Sequence, residues 1–114
     1  MKDNIIISDS KKKHIIPVEE ILRMEANGNY TTVFLRNNIT YVSTKNLNEI
    51  FKDLNPNNFF RVHKSHIINL KEVKSYQKGR GGFVNMSNGY DVVVACRRKT
   101  ILLKQLGMKW RDNH

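Results

Sequence analysis

Three consecutive cations, Arg97, Arg98 and Lys99, follow the apolar run 92–95 and precede the spaced leucines Leu102, Leu103 and Leu106. The guanidinium of Arg97 can donate two parallel hydrogen bonds to the O6 and N7 of guanine. Its neighbours can neutralise phosphate, which sets register without reading sequence. Cations at a helix start oppose the helix dipole at a cost of tenths of a kcal/mol, and a phosphate lying between them and the helix amides would offset that cost. Arg98 and Lys99 are therefore read as phosphate contacts in preference to merely solvated groups. A second basic cluster, Arg61-Val62-His63-Lys64-Ser65, follows Phe59-Phe60. Lys64 can reach a base edge less rigidly than an arginine, or can contact phosphate. A third cluster, Asn27-Gly28-Asn29-Tyr30, breaks a strand pattern, and an Asn29 amide can pair with an adenine edge.

Other chemistries fit less well. His63 and His66 have metal-ligand spacing, but no cysteine or carboxylate is close to them in sequence. His63 follows Phe60 and Val62 in an alternating stretch, so it reads as a partly buried hydrogen-bonding residue that supports its loop. Ser65 or Cys96 with His63 could be imagined as a nucleophile pair, but no nucleophile elbow frames either. Gly79, Gly81 and Gly82 are not followed by Lys-Ser/Thr, so they form no phosphate-binding P-loop and read as a flexible hairpin tip. One cysteine cannot build a zinc finger. No enzyme activity, cofactor or metal is expected.

The composition points the same way. The chain has 114 residues and a formal charge of +10. Residues 1–60 hold 8 basic and 7 acidic side chains, whereas residues 61–114 hold 12 and 3. A small basic domain with one-sided charge is suited to a polyanion. No apolar run approaches the roughly 20 residues of a membrane span, and Ile5-Ile6-Ile7 is cut off too soon for a signal peptide. A single cysteine fits a reducing compartment, so a cytoplasmic location without membrane contact is expected.

These residues need elements to position them. Short β-branched segments predict strands over 4–8 and 13–16, with a helical turn from Pro17 to Glu20. Strands are expected over 21–26, 30–36 and 39–43, with Thr31, Val33 and Leu35 on one face. Leu47, Ile50, Phe51 and Leu54 form one helical stripe, capped by Asn46 with Glu49 and stopped at Asn55-Pro56. Further strands are expected over 73–77, 83–86 and 90–95, the last two joined at Asn88-Gly89. A final helix should run from Lys99 to Leu106 with Leu102, Leu103 and Leu106 inward and Gly107 as its stop. The expectation is one domain over 1–114, mainly β, with several small, mostly antiparallel sheets and two short α-helices.

From Ile21 to Leu106 the chain resembles the LytTR-type DNA-binding domain. Residues 21–30 are similar to that family's opening strand and Gly-Asn-Tyr turn. Phe59-Phe60-Arg61-Val62-His63-Lys64-Ser65-His66-Ile67-Ile68-Asn69 is similar to its most diagnostic stretch, and Asn88-Gly89 with Arg97-Arg98 to its closing hairpin. Lys64, His66 and Cys96 stand where arginine, an aromatic residue and serine are frequent. The resemblance implies bacterial, response-regulator-type transcription regulators whose loops enter successive major grooves of double-stranded DNA. It places base reading at or beside Asn29, at Lys64 and at Arg97, with His63 and Asn69 supporting their loop, and it adds Ser65 to the phosphate contacts. It also implies imperfect direct repeats. Three short reading loops give one copy limited specificity, and the sequence offers no heptad pattern or long apolar strip for a two-fold dimer, so a monomer in solution with two copies on tandem sites is expected. Family members usually carry a receiver or membrane sensor domain, so a stand-alone regulator or an excised effector domain is expected. The rival is a small basic β module for RNA or single strands, which would need Tyr30, Tyr76, Tyr90 or Phe83 as stacking platforms.

Overall fold

The computed structural model describes residues 3–110, with side chains through residue 107. The architecture is mainly β, with antiparallel sheets and two short helices. A two-stranded hairpin pairs β1 (Asn4–Ser8) with β2 (Lys13–Pro17). A five-stranded sheet is built from β3 (Ile21–Asn27), β4 (Tyr30–Leu35), β5 (Thr40–Ser43), β6 (Phe59–His63) and β7 (His66–Asn69), in the order β5-β4-β3-β7-β6. A three-stranded sheet takes β8 (Val73–Gln77), β9 (Phe83–Met86) and β10 (Asp91–Val93) in the order β10-β9-β8. The helices are α1 (Leu47–Phe51) and α2 (Lys99–Trp110).

Side-chain alternation explains the layering, because successive strand residues point to opposite faces. Phe59 and Ile67 join a core with Ile5, Ile7, Ile50 and Met24. Their neighbours Phe60 and Ile68 join a second core with Val84, Val92, Leu102 and Leu106. Strands β6 and β7 are thus covered on both faces, by the β1–β2 hairpin and α1 on one side and by the three-stranded sheet and α2 on the other. Arg23 ties the layers together. It is 4% exposed, its guanidinium lies between the rings of Phe34 and Tyr90, 3.8 and 3.7 Å from their centroids, and it pairs with Glu25 at 2.9 Å.

Local expectations hold in most places. The Asn46–Glu49 capping box forms with both reciprocal hydrogen bonds, and Thr31, Val33 and Leu35 are buried together. Several details differ. Regular α1 ends at Phe51 because the next turn tightens: Asp53 and Leu54 donate to the carbonyls of Ile50 and Phe51, three residues back. Leu54 still reaches the core. The last strand is shorter than the expected 90–95. Residues 59–63 and 66–69, for which no strand is expected, form paired strands. Helix α2 runs through Gly107, which does not adopt the positive φ of a terminating cap. Leu103 faces outward at 37% exposure because it falls about 100° around the helix from Leu102.

Candidate nucleic-acid interface

Several loops and junctions are stitched together by backbone bonds. The β3–β4 turn carries Asn29 after Gly28, whose φ of +61° suits the first central position of a two-residue hairpin. Beside it, the Ala26 N–H donates to the Ser65 carbonyl at 2.9 Å, joining this turn to the β6–β7 turn formed by Lys64 and Ser65. Strand β6 bulges between Arg61 and His63, as strands often do where a side chain must be re-aimed. The Val62 carbonyl accepts from the Ala95 N–H at 2.8 Å. That bond brings in the segment leading to a 3-10 turn over Cys96–Arg98, which runs directly into α2.

The cations then converge. Phe51, Arg61, His63, Lys64, Arg97 and Arg98 line one concavity. Lys64 and Arg97 are exposed, while Arg61, His63 and Arg98 are partly buried. Arg98 donates through Nε to the Arg61 carbonyl at 3.0 Å, and its guanidinium lies 4.9 Å from the Phe60 ring centroid. Arg61 donates to the Asn48 side chain and to the Lys64 carbonyl. Burial, and then the charge of Arg98, lower its pKa below the usual arginine value. This arrangement concentrates positive charge while fixing the backbone that carries Lys64.

His63 accepts through Nδ1 from the Ser65 N–H at 3.1 Å, which orders the turn. This requires an unprotonated Nδ1. The His63 and His66 rings lie 5.2 Å apart. His66 Nδ1 is buried without a hydrogen-bond partner, 3.7 Å from Glu25. Burial lowers the His66 pKa; Glu25 opposes the shift, and His63 and Arg23 add to it. Asn69 donates to the Ile21 carbonyl at 2.9 Å and caps the following turn at Lys71. Among the described residues no group of three His, Cys, Asp or Glu could hold a metal ion, and no helix is long and apolar enough to cross a membrane.

Two features lie beyond the sequence reading. Arg61 was visible within its motif, but its bonds to Asn48 and Lys64 were not. The loop 78–82 is pinned rather than free. Lys99 Nζ donates to the Gly79 carbonyl at 3.1 Å, the Tyr76 hydroxyl to Gly81 at 2.7 Å, and the Val94 N–H to Gly82 at 3.1 Å. Lys64, Arg97, His63 and Arg98 thus meet at one concavity. Asn29 and Ser65 do not line it; Ser65 accepts from the Ala26 N–H at the end of β3, Asn29 sits at the tip of the β3–β4 turn, and Lys99 is turned toward the 78–82 loop.

Comparison with known proteins bears on the family and the fold. The profile of the LytTr DNA-binding domain matches residues 11–107. The transcriptional regulatory protein LytR of Staphylococcus aureus strain N315 is 36% identical over 67 residues, 59% of this chain and 27% of that protein. YpdB of Escherichia coli O6:H1, also a transcriptional regulatory protein, is 33% identical over 78 residues, 67% of this chain and 31% of that protein. The chain therefore spans less than a third of the length of these curated relatives. A solved LytTr DNA-binding domain from Bacillus cereus superposes with a TM-score of 0.81 at 23% identity, covering 94% of this chain and 99% of that one. With mainly antiparallel strands, the diagnostic stretch on β6–β7 and a profile match across most of its length, the chain belongs to the LytTr DNA-binding domain family.

Proposed function

We propose that this chain is a sequence-specific transcription regulator that reads the major groove of double-stranded DNA with loops and acts without catalysis. The observation that carries this reading is the convergence of Lys64 and Arg97, both exposed, on one concavity braced by Arg61 and Arg98. Asn29, Lys64 and Arg97 read base edges. Ser65, Arg98 and Lys99 contact phosphate or support their loops, and His63 holds the β6–β7 turn. The cytoplasm is the compartment this function requires.

The rival single-strand module is less well supported. Tyr76 is committed to the Gly81 carbonyl and Tyr90 stacks on Arg23, which leaves Tyr30 and Phe83 on separate sheets. Competition between duplex and single strands at one salt concentration tests the assignment. The expected result is preference for duplex, and Arg97→Ala should lose about 1–3 kcal/mol of discrimination between a selected site and scrambled DNA. Preference for single strands, or unchanged discrimination in the folded variant, would refute it.

A further inference from the structure

We infer that the loop over residues 78–82, between β8 and β9, is an additional DNA-contacting loop, with Lys78 and Arg80 seated on backbone phosphates beside the position read by Arg97. This rests on the duplex-DNA reading proposed above and extends its footprint.

The placement comes first. Strand β10 runs antiparallel to β9, so the end of β10 that leads to Arg97 lies at the same end of the sheet as the β8–β9 tip. The two are in contact. The Val94 N–H donates to the Gly82 carbonyl at 3.1 Å, and a Cβ built on Gly81 would lie 1.9 Å from the Val94 carbonyl oxygen. Only glycine permits that approach, and Val94 is three residues before Arg97. On the other flank, Lys99 holds the Gly79 carbonyl at 3.1 Å. The glycines that make the sequence look flexible instead let the loop lie flat against the segment bearing the proposed base-reading arginine.

The charge comes second. Lys78 and Arg80 are both exposed. Among the described residues, neither has a carboxylate within ion-pairing distance or a side-chain hydrogen bond. Two unpaired cations beside Arg97, Arg98 and Lys99 repel one another, and that repulsion is relieved by a polyanion. Because three hydrogen bonds hold the loop backbone already, little ordering entropy remains to oppose binding. The loop thus offers preorganised phosphate contacts. Its cations would bind every duplex alike and would strengthen Arg97's reading only by fixing register.

The test uses the full chain and fluorescence anisotropy on a selected duplex and a scrambled one, from about 50 to 200 mM salt. Lys78→Gln/Arg80→Gln is compared with Lys71→Gln/Lys74→Gln, which removes the same charge from exposed positions in the 3-10 turn Leu70–Glu72 and at the start of β8, the end opposite the 78–82 loop. The Lys78/Arg80 variant should bind both duplexes more weakly and keep the wild-type ratio between them. Its salt slope should fall by about two units, so affinity across that salt range should drop about tenfold less than in wild type. A slope equal to wild type, or a change no larger than in the Lys71/Lys74 control, would overturn the inference while leaving the Arg97 assignment standing. Loss of discrimination with an unchanged slope would also overturn it, because that would make the loop a base reader. If wild type itself failed to prefer duplex DNA, the functional reading would fall and this inference with it.

Discussion

Arg61 separates positioning from contact at the scale of one side chain. Its guanidinium is occupied by Asn48 and by the Lys64 carbonyl, so in the proposed complex it would act through the turn that carries Lys64. Arg61→Ala should reduce discrimination between selected and scrambled duplexes while leaving the salt slope nearly unchanged, and should lower stability by about 1–3 kcal/mol through loss of charge-assisted hydrogen bonds. A slope reduced by about one unit would instead mark Arg61 as a phosphate contact. His66 supplies a pH signature. Its pKa is lowered below 6.5 in the fold, so beneath about pH 6.5 the unfolded chain binds that proton more readily than the folded one. Stability should therefore fall as pH drops through 6.5 and level off below the folded pKa. Asp9, held at about 2 by His14 and by the Lys11 and Lys12 amides, contributes stability above 3.8 that is lost only as pH falls toward 2, well outside this window. Urea midpoints of wild type and His66→Phe at pH 7.5 and 5.5 should show the acid loss in wild type and a smaller one in the variant.

At the scale of elements, legibility followed local physics. Strands β3, β4, β8 and β9 and the capping box on α1 were readable because turn residues and half-buried alternation are written into adjacent positions. Strands β6 and β7 were not, because both of their faces are covered. Phe59-Phe60 and Ile67-Ile68 then form continuous apolar pairs that mask the short alternation from Phe60 to His63. The site shows the same division. Arg97 and Lys64 stand out in the sequence as cations within the family motif, but Arg98 reaches back 37 residues to the Arg61 carbonyl and Lys99 reaches 20 to Gly79, and spacing alone cannot encode such partners. Helix α2 offers a sharp check. Leu102 is fully buried whereas Leu103 is 37% exposed. Leu102→Ala should cost about 2–5 kcal/mol, and Leu103→Ala about 0.5 kcal/mol or less. Equal losses in chemical denaturation would mean that α2 packs in a different register.

The whole molecule sets how much specificity one copy can supply. The three side chains proposed to read bases, at about 2 kcal/mol each, would give about 6 kcal/mol of discrimination. Competing with ~10⁶ non-specific sites needs about 8 kcal/mol. One domain therefore falls short, and phosphate contacts do not close the gap because they favour every sequence equally. Two copies on neighbouring sites would exceed the requirement. A palindrome mirrors a two-fold protein dimer, whereas a direct repeat needs only that each loop set engage its own site from the same side of the duplex. The stitched loops are each anchored within one chain, with Ala26 to Ser65, Val62 to Ala95 and Gly82 to Val94, so the proposed reading surface is complete in a single copy. We therefore predict a monomer in solution that occupies two tandem sites about one helical turn, or a multiple of it, apart. Selection from random DNA should return direct repeats. Inserting about 5 base pairs between them should place the second copy on the opposite face and reduce the joint affinity toward that of one site. Recovery of inverted repeats, or sedimentation of the free chain as a stable symmetric dimer, would refute the tandem arrangement and leave the single-site assignment to be judged on Arg97 and Lys64 alone.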